Sequence, residues 1–233
     1  MLEYGYGSRI LQIDLTHRRF HIEDLDPAWI KDVIGGRPAN TKRLAEELDP
    51  TCDPLGPDNM LIFGVGPLTG SLLPASAYYT VTAKSPLTGI LGDSAAGGQF
   101  AAEMKLTGFD QIIITGKADK LIYLMVTDSA VQFVECPQLS GQNIVSTTAA
   151  IRADQHDYAI QVAAIGPAGE HVVHFATIVS SGNRVNGRTG MGAVMGSKNV
   201  KALALRGGRS LQVADTLGFL DEVKKIEQNI LQH

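Results

Sequence analysis

Residues 159–208, AIQVAAIGPAGEHVVHFATIVSSGNRVNGRTGMGAVMGSKNVKALALRGG, read as one complete structural unit. Ala159–Ile165 is an apolar run that reads as a buried strand and breaks at Gly166-Pro167-Ala168-Gly169. Val172–Val179 reads as a second strand and the glycine-rich Ser181–Gly192 as a loop. A short helical turn follows, then a strand, Ala202–Arg206, that stops at Gly207-Gly208. The same order stands upstream. Strand Met60–Val65 runs into Gly66-Pro67-Leu68-Thr69-Gly70, and strand Ala77–Ala83 into Ser85-Pro86-Leu87-Thr88-Gly89. A glycine loop, Gly92–Gly98, a short helix, Gln99–Thr107, and a strand, Gln111–Thr115, complete it. A shift of 91 residues lays Ala102, Met104 and Gly116 on Ala193, Met195 and Gly207. The shared order of elements, more than these identities, argues for an internal duplication with repeats at roughly 60–120 and 159–210. The expected fold is α+β: two similar halves with pseudo-two-fold symmetry, built of twisted, mainly antiparallel β-sheets with short helices.

Outward from the repeats, Ser8–Leu15 and Arg19–Leu25 alternate apolar and polar residues and predict a hairpin. Pro38–Leu48 and Asn143–Gln155 have helical spacing, Asp49–Asn59 is a proline-rich loop, and Leu121–Thr127 and Val131–Glu135 read as strands. The tail Thr216–His233 is an amphipathic helix whose stripe, Leu217, Phe219, Leu220, Val223, Ile226 and Ile230, needs a surface to cover. It reads as the start of a following helical domain over 211–233, or as a helix packing back on this one.

The chain has 233 residues, 44% hydrophobic and 19% charged, which excludes a disordered protein. A net charge of -4 argues against bulk nucleic-acid binding. The charges are unevenly placed. Between Glu170 and Asp215 there is no acid but six bases, Arg184, Arg188, Lys198, Lys201, Arg206 and Arg209. Such a segment in an acidic protein suits an anion. The two cysteines, Cys52 and Cys136, are isolated, so the chain alone forms no four-thiolate cluster site. The N-terminus has no apolar signal region and no run nears the ~20 residues that span a bilayer, so a cytoplasmic protein without membrane contact is expected.

Ser180–Gly190 is the strongest local signal. Its glycines allow close backbone approach to a ligand, successive N–H groups can form an anion nest, and Arg184 and Arg188 offer bidentate contacts to phosphate. The plain alternative is a surface connection with solvated arginines. Gly92–Gly98 has a similar composition but carries Asp93, and reads either as a facing ligand loop or as a helix cap. Gly190–Gly196 imitates a dinucleotide fingerprint but lacks its preceding strand and following acid, and Gly196-Ser197-Lys198 lacks P-loop order. His171 and His174, three apart on the expected strand, point to opposite faces and are structural. Glu170 reads as a solvated charge.

The segments GPLTG (Gly66–Gly70), KSPLTG (Lys84–Gly89), GG-x-F-x-AE-x-K (Gly97–Lys105), GPAGE (Gly166–Glu170) and GR-x-G-x-GAVMGSKN-x-KA (Gly187–Ala202) together resemble the N-terminal domain of the tungsten-containing aldehyde ferredoxin oxidoreductase family. The resemblance covers about residues 5–210. It implies a domain, 1–210, that forms the base for a bis-pyranopterin tungsten, or molybdenum, cofactor whose phosphates are joined by magnesium. By position, it implies that Arg184, Val185 and Gly97 contact the cofactor and that the main-chain carbonyls of Ala95 and Val185 lie near the magnesium. Those two residues are 90 apart, close to the repeat offset. Two departures stand out. Tyr78 replaces a common arginine, losing a charge but keeping an O–H donor, and Ala95 replaces a common asparagine, keeping only its carbonyl.

The resemblance further implies that the 4Fe-4S cluster ligands and catalytic acids lie in domains beyond this chain. The remaining domains or a larger subunit would then be its partners, with ferredoxin as electron acceptor of the complete enzyme. The chain by itself would have no catalytic residue. Two other readings stay open: a non-catalytic binding module, either a pterin-cofactor carrier or a subunit without ligand, and a glycine-rich homodimerisation domain.

Overall fold

Fully apolar strands, amphipathic helices and glycine turns arrange themselves around a core common to both repeats. A computed structural model describes residues 4–232. The first half contains β1 (Arg9–Asp14), β2 (Arg19–Asp24), α1 (Pro27–Lys31), α2 (Gly36–Glu47), β3 (Leu61–Val65), β4 (Tyr78–Lys84), β5 (Leu91–Gly97), α3 (Gln99–Leu106) and β6 (Phe109–Thr115). The second contains β7 (Ile122–Thr127), β8 (Val131–Glu135), α4 (Ile144–Asp154), β9 (Gln161–Ala164), α5 (Pro167–Glu170), β10 (Ile178–Ser180), β11 (Arg184–Asn186), α6 (Met191–Ser197) and β12 (Val200–Arg206). The tail helix is α7 (Thr216–Gln232); His233 of the expected tail helix lies outside the described residues.

The duplication is plain in the sheets. The first is ordered β2-β1-β6-β3-β4-β5, and the second, read from its other edge, β8-β7-β12-β9-β10-β11. Each holds one parallel pair, β1 with β6 and β7 with β12, and is otherwise antiparallel. The equivalence therefore reaches beyond 60–120 and 159–210 to include the hairpins β1–β2 and β7–β8. Each parallel pair is interrupted at the same place: Asp110 is skipped between Phe109 and Gln111, and Lys201 between Val200 and Ala202. These two bulged positions are 91 apart.

Alternation along the strands explains the layering. Ile112 and Ile114 join Leu11, Phe63, Val81, Leu124, Leu203 and Leu205 in a core between the sheets, whereas Ile113 turns outward under α1 and α2. On the second sheet Leu124 and Val126 face the shared core, and Tyr123 and Met125 face Ile151 of α4. Phe100 and Met104 of α3, and Val194 and Met195 of α6, fill the shared core, and each helix packs on strands of the opposite half.

Two stretches depart from the sequence reading. Gly92–Gly98 is not a loop: Leu91–Gly97 pairs with β4 along its whole length. Its glycines, alanines and serine have low strand propensity, but close packing decides. A Cβ at Gly92 would stand 2.8 Å from Met191 Cε and 2.9 Å from Ser85 Cβ. Val172–Val179 is not one strand: only Ile178–Ser180 pairs, and Val172 has φ 55°. The preceding residues lie against α6 instead, where a Cβ at Gly192 would stand 2.5 Å from the Thr177 carbonyl. His171 and His174 therefore sit in a turn after α5, and Glu170, far from solvated, pairs with the fully buried Lys201. Of the α7 stripe, only Val223 is buried; Leu217, Ile226 and Ile230 are exposed. Among the described residues no helix is long and apolar enough to cross a membrane.

Candidate functional site

The free edges of the two sheets meet. β5 and β11 are the terminal strands of their sheets and lie side by side, so unpaired backbone from both halves converges on one seam. Asn186 Nδ2 donates to the Ser94 carbonyl at 2.8 Å, the Arg188 N–H to Ser94 Oγ at 3.2 Å, and Thr189 Oγ1 to the Asp93 carbonyl at 3.4 Å. Ser85 Oγ donates to the Thr189 carbonyl at 2.8 Å, and the Phe100 N–H at the start of α3 donates to Ser181 Oγ at 3.1 Å.

The register fixes which groups are open. Gly98 N–H donates to the Ala77 carbonyl and Ser85 N–H to the Ile90 carbonyl, at the two ends of the β4–β5 ladder. Bonded and non-bonded pairs alternate in an antiparallel ladder, so Gly92, Ser94 and Ala96 bond to β4. Asp93, Ala95 and Gly97 instead send their N–H and C=O groups to the open edge. Their side chains share the outer face, where small Ala95 and Gly97 leave the surface low. Tyr78 lies over Gly97: a Cβ there would stand 3.5 Å from the phenol ring and 3.3 Å from the Ala77 carbonyl.

At one end of the seam is a cavity of about 550 Å3 lined by Arg37, Asp93, Ser94, Ala95, Val185, Gly187 and Arg188. Arg37 Nε donates to Asp93 Oδ2 at 2.5 Å, while Arg188 has no carboxylate partner among the described residues. Buried Asn186 keeps an unpartnered side-chain oxygen beside this seam. At the other end Arg184 lays its aliphatic stem against the start of α3, 3.0 Å from where a Cβ on Gly98 would stand. Ala95 and Val185 thus line the cavity, whereas Gly97, Tyr78 and Arg184 flank it further along the same exposed face.

The arrangement suits a phosphorylated ligand with a bound cation. It offers outward backbone N–H groups and arginines to anions, and outward carbonyls with an orphaned amide oxygen to a cation. The cysteines lie outside this cavity: burial pushes the Cys136 thiol up to about 12 and also raises that of Cys52. Among the described residues no group of three or more His, Cys, Asp or Glu could hold a metal. Sequence reasoning did not find Arg37. Its signal was Gly35-Gly36 before α2: a Cβ at Gly35 would stand 3.2 Å from the Val65 carbonyl, so glycine lets the helix start close over the sheet.

Comparisons place the chain among known proteins. Residues 10–207 match the family model described as aldehyde ferredoxin oxidoreductase, N-terminal domain. The tungsten-containing aldehyde ferredoxin oxidoreductases of Pyrococcus abyssi and Pyrococcus furiosus are 41% and 39% identical over 97% and 95% of this chain. An aliphatic sulfonate oxidoreductase, WOR-like subunit, of P. furiosus is 30% identical over 89%. Among solved structures, the active site complex BamBC of benzoyl coenzyme A reductase superposes with a TM-score of 0.96 at 32% identity, over 98% of this chain and 35% of its own. The chain spans about 37% of the length of the two aldehyde oxidoreductases. With a family match across both sheets and this level of identity, the chain belongs to the aldehyde ferredoxin oxidoreductase family, of which it is the N-terminal region.

Proposed function

We propose that this chain is the cofactor-binding part of a tungsten, or molybdenum, bis-pyranopterin oxidoreductase that oxidises aldehydes to carboxylic acids with ferredoxin as acceptor. The observation that carries the reading is the seam between β5 and β11, where two repeat-related edge strands present open backbone and arginines on one face. A ligand with two phosphates and an approximate two-fold suits a site with the same symmetry.

In this reading the guanidinium of Arg184 holds one phosphate, Tyr78 O–H donates to the pterin or its phosphate, and Gly97 lets the ligand lie close to the strand. The main-chain carbonyls of Ala95 and Val185 would hold a magnesium ion, which would offset the phosphate charge. The metal centre, when bound, supplies the two-electron oxidation. No residue of this chain serves as its catalytic base, and the iron–sulfur ligands and catalytic acids belong to the remaining domains or a larger subunit. The protein is cytoplasmic in this reading, with neither nucleic acid nor membrane as partner.

Elemental analysis tests it. Co-expressed with the rest of its enzyme, the chain should co-purify with tungsten or molybdenum and with phosphorus, and Arg184→Ala should lower both. Absence of metal and phosphorus from the assembled complex would sink the reading. A second reading, a binding module without catalysis, is favoured by Tyr78 and Ala95, which remove a charge and an amide from the seam. It predicts organic phosphate retained without tungsten or molybdenum.

A further inference from the structure

The cavity beside Ala95 contains a cation that the sequence pattern did not mark. We infer that Arg37 is a phosphate-positioning residue: held by Asp93, it forms with Arg188 a two-sided arm for a phosphomonoester. The choice of ligand rests on the function proposed above; the anion site itself does not.

The first observation is placement. Arg37 comes from the first turn of α2, and Arg188 from the loop after β11, yet both line the same cavity around Ala95 and Val185. Along β5, Asp93 and Gly97 flank Ala95 on one face. Arg37 at Asp93 and Tyr78 at Gly97 therefore stand on either side of the Ala95 floor. An arginine at one end can serve a phosphate that a tyrosine at the other serves only as a neutral donor.

The second observation is how firmly Arg37 is held. Asp93 uses Oδ2 for Arg37 Nε and Oδ1 for Thr82 Oγ1 at 3.2 Å. Thr82 accepts from Asn40 Nδ2 at 3.1 Å, and Asn40 Oδ1 accepts from Gln111 Nε2 at 2.9 Å. Asn40 of α2 and the strand residues Thr82 and Gln111 are all buried between helix and sheet. The sheet makes room for this chain of bonds: a Cβ at Gly64 would stand 2.2 Å from Asn40 Oδ1. A buried polar chain is costly to build and leaves its last member little freedom. It ends on a half-exposed guanidinium with only Nε engaged, so four N–H groups remain for an oxyanion.

The test uses the full chain with inorganic pyrophosphate and inorganic phosphate as probes, read by calorimetry and by backbone amide NMR. Both probes should shift the amides of Ala95, Val185 and Gly187, and Arg37→Ala should weaken pyrophosphate by about tenfold. Arg37→Lys keeps charge but loses the fork, and should recover only part. Asp93→Asn decides between orientation and neutralisation: weaker binding supports a held arm, and tighter binding overturns it. Unchanged affinity in Arg37→Ala, or amide shifts confined to other surfaces, also overturns it. Metal recovered in the assembled enzyme, with Arg37→Ala binding pyrophosphate normally, would remove the arm and keep the pterin reading. Arg37-dependent binding without tungsten or molybdenum in the assembly would do the reverse.

Discussion

The two halves share strand order, directions and a bulge, yet the bulge carries Asp110 in one and Lys201 in the other. Both side chains are buried, and each half neutralises its own by a different route. In the first half the counter-ion is Lys105 of α3, 2.6 Å from Asp110, whose two oxygens also accept from the N–H groups of Gly7 and Ser8. The residue 91 positions after Lys105 is Gly196. It has no side chain to offer, and the counter-ion comes instead from α5, where Glu170 pairs with Lys201 and also accepts from Ser140 Oγ and Gly141 N–H. The glycine is what admits α5: a Cβ at Gly196 would stand 1.9 Å from the Gly169 carbonyl. A duplicated scaffold thus preserves the need to satisfy a buried bulge, and leaves free the sign of the charge and the element that answers it.

The largest effect should come from forcing the first solution on the second half. Gly196→Lys or Gly196→Ala drives a side chain into backbone that cannot swing away, and should cost at least about 3 kcal/mol, the upper range for overpacking. Chemical denaturation of the purified chain, or its failure to accumulate as folded protein, reads this out. Next come the pairs themselves. Lys201→Met alone should destabilise by about 3–5 kcal/mol because Glu170 stays buried without its partner, and Asp110→Leu should behave alike through Lys105. Removing both partners of one pair should recover much of the loss, so double-mutant cycles in the two halves should show the same strong coupling.

A third contrast is at the helix ends. Thr107 ends α3, and 91 residues later buried Lys198 ends α6, its ammonium held by the carbonyls of Pro57 and Gly116. Burial lowers the Lys198 ammonium from 10.5 to about 8. Between these values the unfolded chain binds the extra proton, so stability should rise with pH from about 8. Burial raises the Cys136 thiol and the Tyr79 phenol, so above pH 9.0 and then above 10.0 the unfolded chain loses protons the folded one keeps, and these offset the rise and then make stability fall. Denaturation midpoints across pH 7 to 11 should show this hump, and Lys198→Met should erase the rise while leaving the fall. The smallest effect is expected where the halves touch in solvent. Arg18 bridges from the β1–β2 turn to Glu135 of β8 at 3.1 Å, and Arg18→Ala should change stability by no more than about 1 kcal/mol.

Much of this was legible from local pattern. β3, β6, β7 and β12 are runs of apolar residues between turn signals, and α2 and α4 have helical spacing, so each was found within a few residues of its true limits. β5 was not, because Gly92, Ser94, Ala95 and Ala96 give no strand signal; they are small because α6, β11 and Ser85 press on them. The apolar residues from Val172 to Thr177 misled in the opposite sense, since a strand-like run is spent on packing against the backbone of α6. Of the site, Arg184 was marked by its glycine-rich cationic segment, and Ala95, Gly97, Tyr78 and Val185 only by the family resemblance; Ala95 and Val185 stand in the cavity wall. Arg37 was invisible because it is nearly 60 residues before its partner Asp93, with no local motif to link them.

By itself the sequence determined the family, the duplication, most elements and the acid-free cationic segment, because each is written in residues near one another along the chain. Only the tertiary structure decided that the repeats include the hairpins, that their free edges adjoin, and which arginines share a cavity. The same holds for the two buried ion pairs. Lys105 and Asp110 are only five residues apart, but the anchor of Asp110 to Gly7 and Ser8 spans about 100, and Glu170 and Lys201 are about 30 apart. Such contacts depend on close approach of backbones and on burial, which no local spacing of residue types encodes.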